Sequence, residues 1–286
     1  MDIETVKDYL SDNRLRPEFF DLAKEVFGID LAPWYGAGFS TDYHPYSALV
    51  NGVMAANVSA NVMDCTLDGR SRRYIQFGTV MTKREYRGLG LSRMLMEAAQ
   101  NDARDCDGMY LYANDSVREF YPRLGFTKAL EYRYGADVAN RKPMSADHVP
   151  MDTRERQERF IEQIRARRDL AVPAIKGESV LMFYLTGFMS GDVWYLPTHD
   201  AYAVASIEDG VLTLFALYAP RSVNILETAE AFGEKVKRIE LAFTPENPAG
   251  LTLHEHKEED TTFFICGDGL ARDMKRILAF PEITHA

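Results

Sequence analysis

The stretch EYRGLGLSRMLM, Glu85 to Met96, decides how the rest of the chain is read. Gly88 and Gly90 stand one residue apart and run into Leu91, Met94, Leu95, Ala98 and Ala99, which share one face at helical spacing. This predicts a glycine loop opening onto a helix N-terminus, where backbone N–H groups lack intrahelical acceptors and the positive end of the dipole points outward. Such a corner suits an anion, and glycine lets the backbone approach it with no Cβ in the way. Each dipole interaction contributes only ~0.3–1 kcal/mol, so several N–H groups must converge on the ligand. A Gly-x-Gly corner alone fits a bare strand-to-helix turn equally well. No Gly-x-x-x-x-Gly-Lys-Ser/Thr occurs in the chain, so this is not a nucleotide P-loop. A dinucleotide fingerprint is also absent, because Arg93 stands where its third glycine would be.

Upstream, Asn51-Gly52 and Asp68-Gly69 separate the apolar-rich runs SALV, VMAANVSANVMDCTL and RRYIQFGTVMT. These dipeptides favour tight hairpin turns, whose central residues need positive φ, so an antiparallel meander is expected. Before it, PEFFDLAKEVFG from Pro17 reads as a helix with Phe19, Phe20, Leu22, Ala23 and Val26 inward and Gly28 as its stop. LAPWYGAGFSTDYHPY reads as irregular and aromatic. Downstream, GMYLYA reads as a short buried strand and SVREFYPRLG as a short helix ended by Pro122 and Gly125.

The formal net charge of -10 argues against general nucleic-acid or anionic-membrane binding, both of which reward clustered Lys and Arg. Cys65, Cys106 and Cys266 are scattered and odd in number, which excludes a disulfide scaffold or zinc ribbon and fits a reducing cytoplasm. MDIETVKDYL lacks the apolar core of a signal peptide, and no apolar run approaches the ~18 residues of a membrane span. Asn57-Val-Ser59 and Asn114-Asp-Ser116 match the glycosylation pattern, which has no meaning without secretion. His254-Glu255-His256 alternates like a strand and lacks the helical zinc-protease spacing, so no metal site is expected.

In the second half, RERQERFIEQIRARRDL reads as a solvated helix burying Phe160, Ile161 and Ile164. DAYAVASI, Glu208-Asp209-Gly210 and VLTLFALY form another hairpin, followed by a helix in ILETAEAFG and strands in VKRIELAF and TTFFICG. The order hairpin, helix, strand thus recurs, which hints at a degenerate internal repeat. The organisation expected is a domain over residues 1–140, a Pro-containing linker over 141–159 and a second, smaller α+β domain over 160–286.

GTVMTKREYRGLGLSRMLM resembles the acetyl-coenzyme A signature of the GNAT superfamily of N-acetyltransferases, Gln/Arg-x-x-Gly-x-Gly/Ala, with Glu85 departing from its first position. NDSVREFYPRLGF resembles the same family's second motif, with Asn114, Tyr121, Gly125 and Phe126 in place. The resemblance covers roughly residues 15 to 135. It implies an α+β GNAT fold, a mixed and mostly antiparallel twisted sheet flanked by helices, with a second GNAT-like domain that walls the acceptor cleft, mediates homodimerisation, or does both.

The resemblance implies that acetyl-coenzyme A, as cosubstrate, lays its pantetheine arm along Val80, Met81 and Thr82. Its pyrophosphate would sit on the N–H groups of Arg87, Gly88, Leu89, Gly90, Leu91 and Ser92. A backbone N–H near Met81 would stabilise the oxyanion, Asn114 would bond the arm or a water, and Tyr121 would protonate the departing thiolate. The acceptor would be the primary amine of a small molecule, peptide or protein, attacking directly within a ternary complex. Asp64 and His44 are candidate bases. The chain also resembles the enhanced-intracellular-survival acetyltransferases, tandem GNAT-like proteins whose C-terminal carboxylate reaches the active site, which makes the Ala286 carboxylate, or His285, a further candidate base. Trp34, Tyr35 and Tyr43 to Tyr46 either line an acceptor pocket or pack in the core. Two further readings stand beside acetyl transfer, a non-catalytic acyl-coenzyme A sensor or scaffold and an acyltransferase for longer chains.

Overall fold

The computed structural model describes residues 1–139 and 142–286, so the expected division at 140/141 lies outside the described residues. The chain builds two eight-stranded sheets. The first contains β1 (Ile3–Lys7), β2 (Tyr43–Val50), β3 (Val53–Leu67), β4 (Arg70–Thr82), β5 (Gly108–Ala113) and β6 (Thr127–Lys128). The meander β2–β3–β4 is antiparallel, and its two turns carry the positive φ values foreseen: Asn51 +50° and Gly52 +82°, then Asp68 +48° and Gly69 +76°.

Helix α1 (Leu15–Phe27) ends at Gly28, whose left-handed backbone lets its N–H close on the Lys24 carbonyl. Helix α2 (Ala32–Ala37) and the start of β2 at Tyr43 replace the irregular segment expected there. Pro33 suits a first turn, and burial of Trp34 with its indole N–H on the Ser179 carbonyl (2.9 Å) anchors a helix too short to show a period. Helix α3 (Leu91–Asp102) buries Leu91, Leu95, Met96 and Ala99, while Ala98 faces solvent. SVREFYPRLG forms two single turns of 3-10 helix rather than one helix, with Pro122 in the second and Gly125 ending it at φ +87°.

Two cores lie on opposite faces of the first sheet. Phe19, Leu22, Trp34, Tyr43, Met54 and Met81 belong to one; Val58, Phe77, Leu95, Met96, Tyr121 and Phe126 belong to the other. Burying each such aliphatic or aromatic side chain is worth roughly 1.5–3 kcal/mol.

The second sheet runs Thr252–His256, then β7 (Glu131–Asp137), then Arg238–Leu241, Val211–Ala219, Ala201–Glu208, Val193–Leu196 and Asp147–His148. Helix α4 (Arg154–Arg165) is capped by the Thr153 hydroxyl and buries Phe160, Ile161 and Ile164 as expected. Helix α5 (Ser179–Thr186) is apolar nearly all round, so it shows no amphipathic period, and it buries Val180, Leu181, Met182 and Leu185.

The hairpin–helix–strand order does give the same topology twice. β4 pairs in parallel with β5 after α3, and Val211–Ala219 pairs in parallel with Arg238–Leu241 after helix α6 (Ile225–Glu230). The sheets also exchange strands. Thr262–Cys266, from the second half, lies between β5 and β6, and β7, from the first half, lies between Arg238–Leu241 and Thr252–His256.

Candidate active site

The parallel pairing of β4 and β5 runs from Tyr74 with Gly108 to Phe77 with Leu111 and stops there, although both strands continue. The edge of β4 from Gly78 to Thr82 therefore faces a gap, and Val80, Met81 and Thr82 lie along it.

This gap leads into the glycine loop. A single turn at Arg84–Tyr86 is followed by extended Arg87, Gly88 at φ +83° and Gly90 at φ +76° as the cap of α3. A Cβ on either glycine would meet no protein atom within 4 Å, so within the protein it is the backbone conformation that favours glycine here. Among the described residues nothing accepts a hydrogen bond from the N–H groups of Gly88 to Arg93. Several successive donors are thus left without partners at one largely exposed corner, which an anion seat requires. The Ser92 and Thr82 hydroxyls, 2.6 Å apart, tie the first turn of α3 to the end of β4. Glu85 is exposed in the preceding turn.

Tyr121 is buried against Phe120, Phe126 and Phe264. Burial pushes its phenol up to about 12, so it stays protonated at neutral pH, and among the described residues nothing hydrogen-bonds its hydroxyl. Asn114 follows β5, and its side-chain N–H donates to Asp260 (3.1 Å), a partner from far along the chain that the motif does not announce.

The C-terminus folds back onto β4. A Cβ on Gly78 would overlap the Ala286 carbonyl group, so this glycine makes room for the tail. The Tyr184 hydroxyl donates to the His285 carbonyl (2.8 Å), and the His285 ring stacks on Tyr112 with centroids 3.7 Å apart. Burial, reinforced by Arg133, lowers His285 to about 3, which keeps the imidazole neutral.

The other proposed bases are engaged elsewhere. Asp64 forms a two-pronged pair with Arg73 (2.6 and 2.7 Å), which lowers its carboxyl, toward the end of the sheet where β4 and β5 remain paired. His44 bonds Asp8 at 2.8 Å. Trp34 and Tyr43 are buried against one another with centroids 5.0 Å apart, whereas Tyr35 is half-buried and stacks under Arg16. Among the described residues no group of three His, Cys, Asp or Glu side chains stands ready for a metal, and no helix is long and apolar enough to cross a membrane.

Sequence reasoning missed a buried polar chain behind β4, formed by Tyr9, Tyr43, Ser47, Asn57, Ser59 and Thr79. Its one sequence signal is the alternation Asn57, Ser59, Asn61 against Ala56, Val58, Ala60, a polar face on a strand that is buried on both sides.

A sequence profile described as "Acetyltransferase (GNAT) family" matches residues 10–126. No curated protein sequence matches the chain. Solved structures give the fold. An Enterococcus faecalis V583 protein of unknown function, described as a "probable N-acyltransferase", superposes with a TM-score of 0.61 at 13% identity, over 93% of this chain and 72% of its own. A GCN5-related N-acetyltransferase from Kribbella flavida gives 0.58 at 16% identity, over 92% of this chain and 70% of its own. Eis1 from Mycobacterium abscessus gives 0.56 at 15%, over 92% and 72%. The two-sheet architecture is thus shared across nearly the whole chain at identities too low to carry more than the fold. Residues 10–126 match the GNAT acetyltransferase family, so this part of the chain is a transferase domain.

Proposed function

We propose that the protein transfers an acetyl group from acetyl-coenzyme A to a primary amine of a small molecule, peptide or protein, by direct attack within a ternary complex. The observation that carries this reading is the continuity of the β4–β5 gap with the row of unpaired N–H groups from Gly88 to Arg93. One accommodates an extended arm by main-chain hydrogen bonds and the other accommodates a pyrophosphate. In this reading Val80, Met81 and Thr82 receive the arm, and Arg87, Gly88, Leu89, Gly90, Leu91 and Ser92 receive the phosphates. Asn114, whose N–H is taken by Asp260, offers its Oδ1 to the arm. The acid net charge is no obstacle, because backbone dipoles do most of the holding.

Attack on the thioester carbonyl forms an oxyanion that a β4 amide near Met81 stabilises, and collapse expels the coenzyme A thiolate, which Tyr121 protonates. A phenol held near 12 is a competent donor at neutral pH. The Ala286 carboxylate, seated on Gly78 beside the gap, is the favoured acceptor of the ammonium proton. Neutral, buried His285 then serves to hold the tail by its stack on Tyr112.

Acetyl-coenzyme A binding, measured together with free-thiol release across a panel of amines, tests this reading. Binding accompanied by thiol release on at least one amine supports it. Binding with no release on any amine makes the protein an acyl-coenzyme A sensor.

A further inference from the structure

The gap beside β4 depends on a bulge built from a residue that resists it. Asn57 pairs with Met81 and Ser59 with Gly78, so β4 carries one residue more than β3 between these pairs. The extra residue is absorbed at Thr79, which takes φ +42°. That region is strained for a β-branched side chain, and glycine is the usual occupant.

Buried side chains hold Thr79 there from two sides. The Ser47 hydroxyl donates to Asn57 Oδ1 (2.9 Å), and the Tyr9 hydroxyl lies 2.6 Å from Ser47 Oγ and 3.4 Å from the same Oδ1. The Asn57 side-chain amide then uses both hydrogens, one on Ser59 Oγ and one on the Thr79 carbonyl, each at 2.9 Å. From the other side the Tyr43 hydroxyl meets Thr79 Oγ1 at 2.5 Å. Ser47, Asn57 and Ser59 are all 0% exposed, so solvent offers no substitute partner. An apolar replacement of such a chain can be neutral in stability, so folding alone does not demand it. Its place in the sheet suggests what does: Thr79 stands between Gly78, which seats the tail, and Val80–Thr82, which edge the gap.

We infer that Asn57 is a positioning residue, which with Tyr9, Ser47 and Tyr43 fixes the Thr79 bulge so that the free edge of β4 meets the acyl thioester at the right distance. This rests on the acetyl-transfer reading and adds the residues that set the geometry of its reacting edge. The phosphate seat lies beyond Thr82, so the chain governs turnover rather than cofactor capture.

Asn57→Asp keeps the acceptor for Ser47, loses both donors and sets an oxygen against the Thr79 carbonyl. We expect kcat to fall about 10²-fold, the scale of a small misplacement of reacting atoms, with KM for acetyl-coenzyme A within about threefold. Thr79→Gly in the same chain adopts the bulge without strain and should restore at least about tenfold of kcat. A role confined to folding would lower the melting temperature without that rescue. Should Asn57→Asp not fold, Tyr43→Phe, which removes the hydroxyl that meets Thr79 and Ser59, should still lower kcat several-fold at constant KM. The inference fails if a folded Asn57→Asp protein, or Tyr43→Phe in its place, keeps wild-type kcat, or if glycine at 79 restores nothing. A wild-type protein that releases no thiol with any amine would instead overturn the acetyl-transfer reading itself.

Discussion

Tyr121 concentrates the chemistry that the motif implies into one atom. Tyr121→Phe should lower kcat by about 10²-fold or more, within the range of general acid catalysis, and leave acetyl-coenzyme A affinity close to wild type. A near-wild-type rate in steady-state assays would remove this phenol from the mechanism. Burial gives the pH dependence its sign: a donor held near 12 stays protonated where an ordinary phenol, with a pKa of about 10, would be half ionised. A pH–rate profile should accordingly show no loss of kcat between about pH 8 and pH 10. Gly78 gives a second test at this scale, because any Cβ there collides with Ala286. Gly78→Ala should displace the tail and lower kcat about tenfold or more if the carboxylate is the base, as should removal of the last three residues; undiminished turnover in both would exclude it. Tyr121 and Asn114 stand out in the sequence because the motif fixes their spacing. Asn57 was not, since its partners Tyr9 and Ser47 lie 48 and 10 residues away and only the folded sheet brings them together.

At the scale of elements, the hairpins were legible for a physical reason: Asn-Gly and Asp-Gly supply the positive φ that tight turns need. Helices α1, α3 and α4 were legible because each buries one stripe. Helix α5 escaped because an element buried on nearly every side has no stripe to read. The loop before α3 is a glycine corner as its sequence predicts, and the structure adds a backbone reason, since both positions take positive φ. Gly90→Val, strained by ~1–3 kcal/mol in that region, should weaken acetyl-coenzyme A binding by about tenfold in calorimetry while leaving far-ultraviolet circular dichroism unchanged. Unaltered affinity would mean that the corner does not seat the phosphates.

The whole molecule holds what periodicity could not show. A run such as TTFFICG announces a strand but not its sheet, and here it completes the first sheet from the far end of the chain. Its reciprocal partner β7 completes the second. A chain ended at residue 140 would expose the edge of β5 where Thr262–Cys266 belongs, so it should aggregate rather than fold. A soluble, cooperatively melting fragment would contradict this. The exchange also places the C-terminal tail, with Tyr184, Tyr112 and Arg133 around His285, against the same stretch of β4 that borders the gap. Direct transfer across that gap is the expected outcome, and a single-turnover experiment with enzyme in excess over acetyl-coenzyme A tests it most directly. Without an amine no thiol should appear, and adding a competent amine should release one equivalent of thiol together with acetylated amine. A thiol burst with acetylated enzyme before any amine is added, or silence with every amine tried, would contradict it.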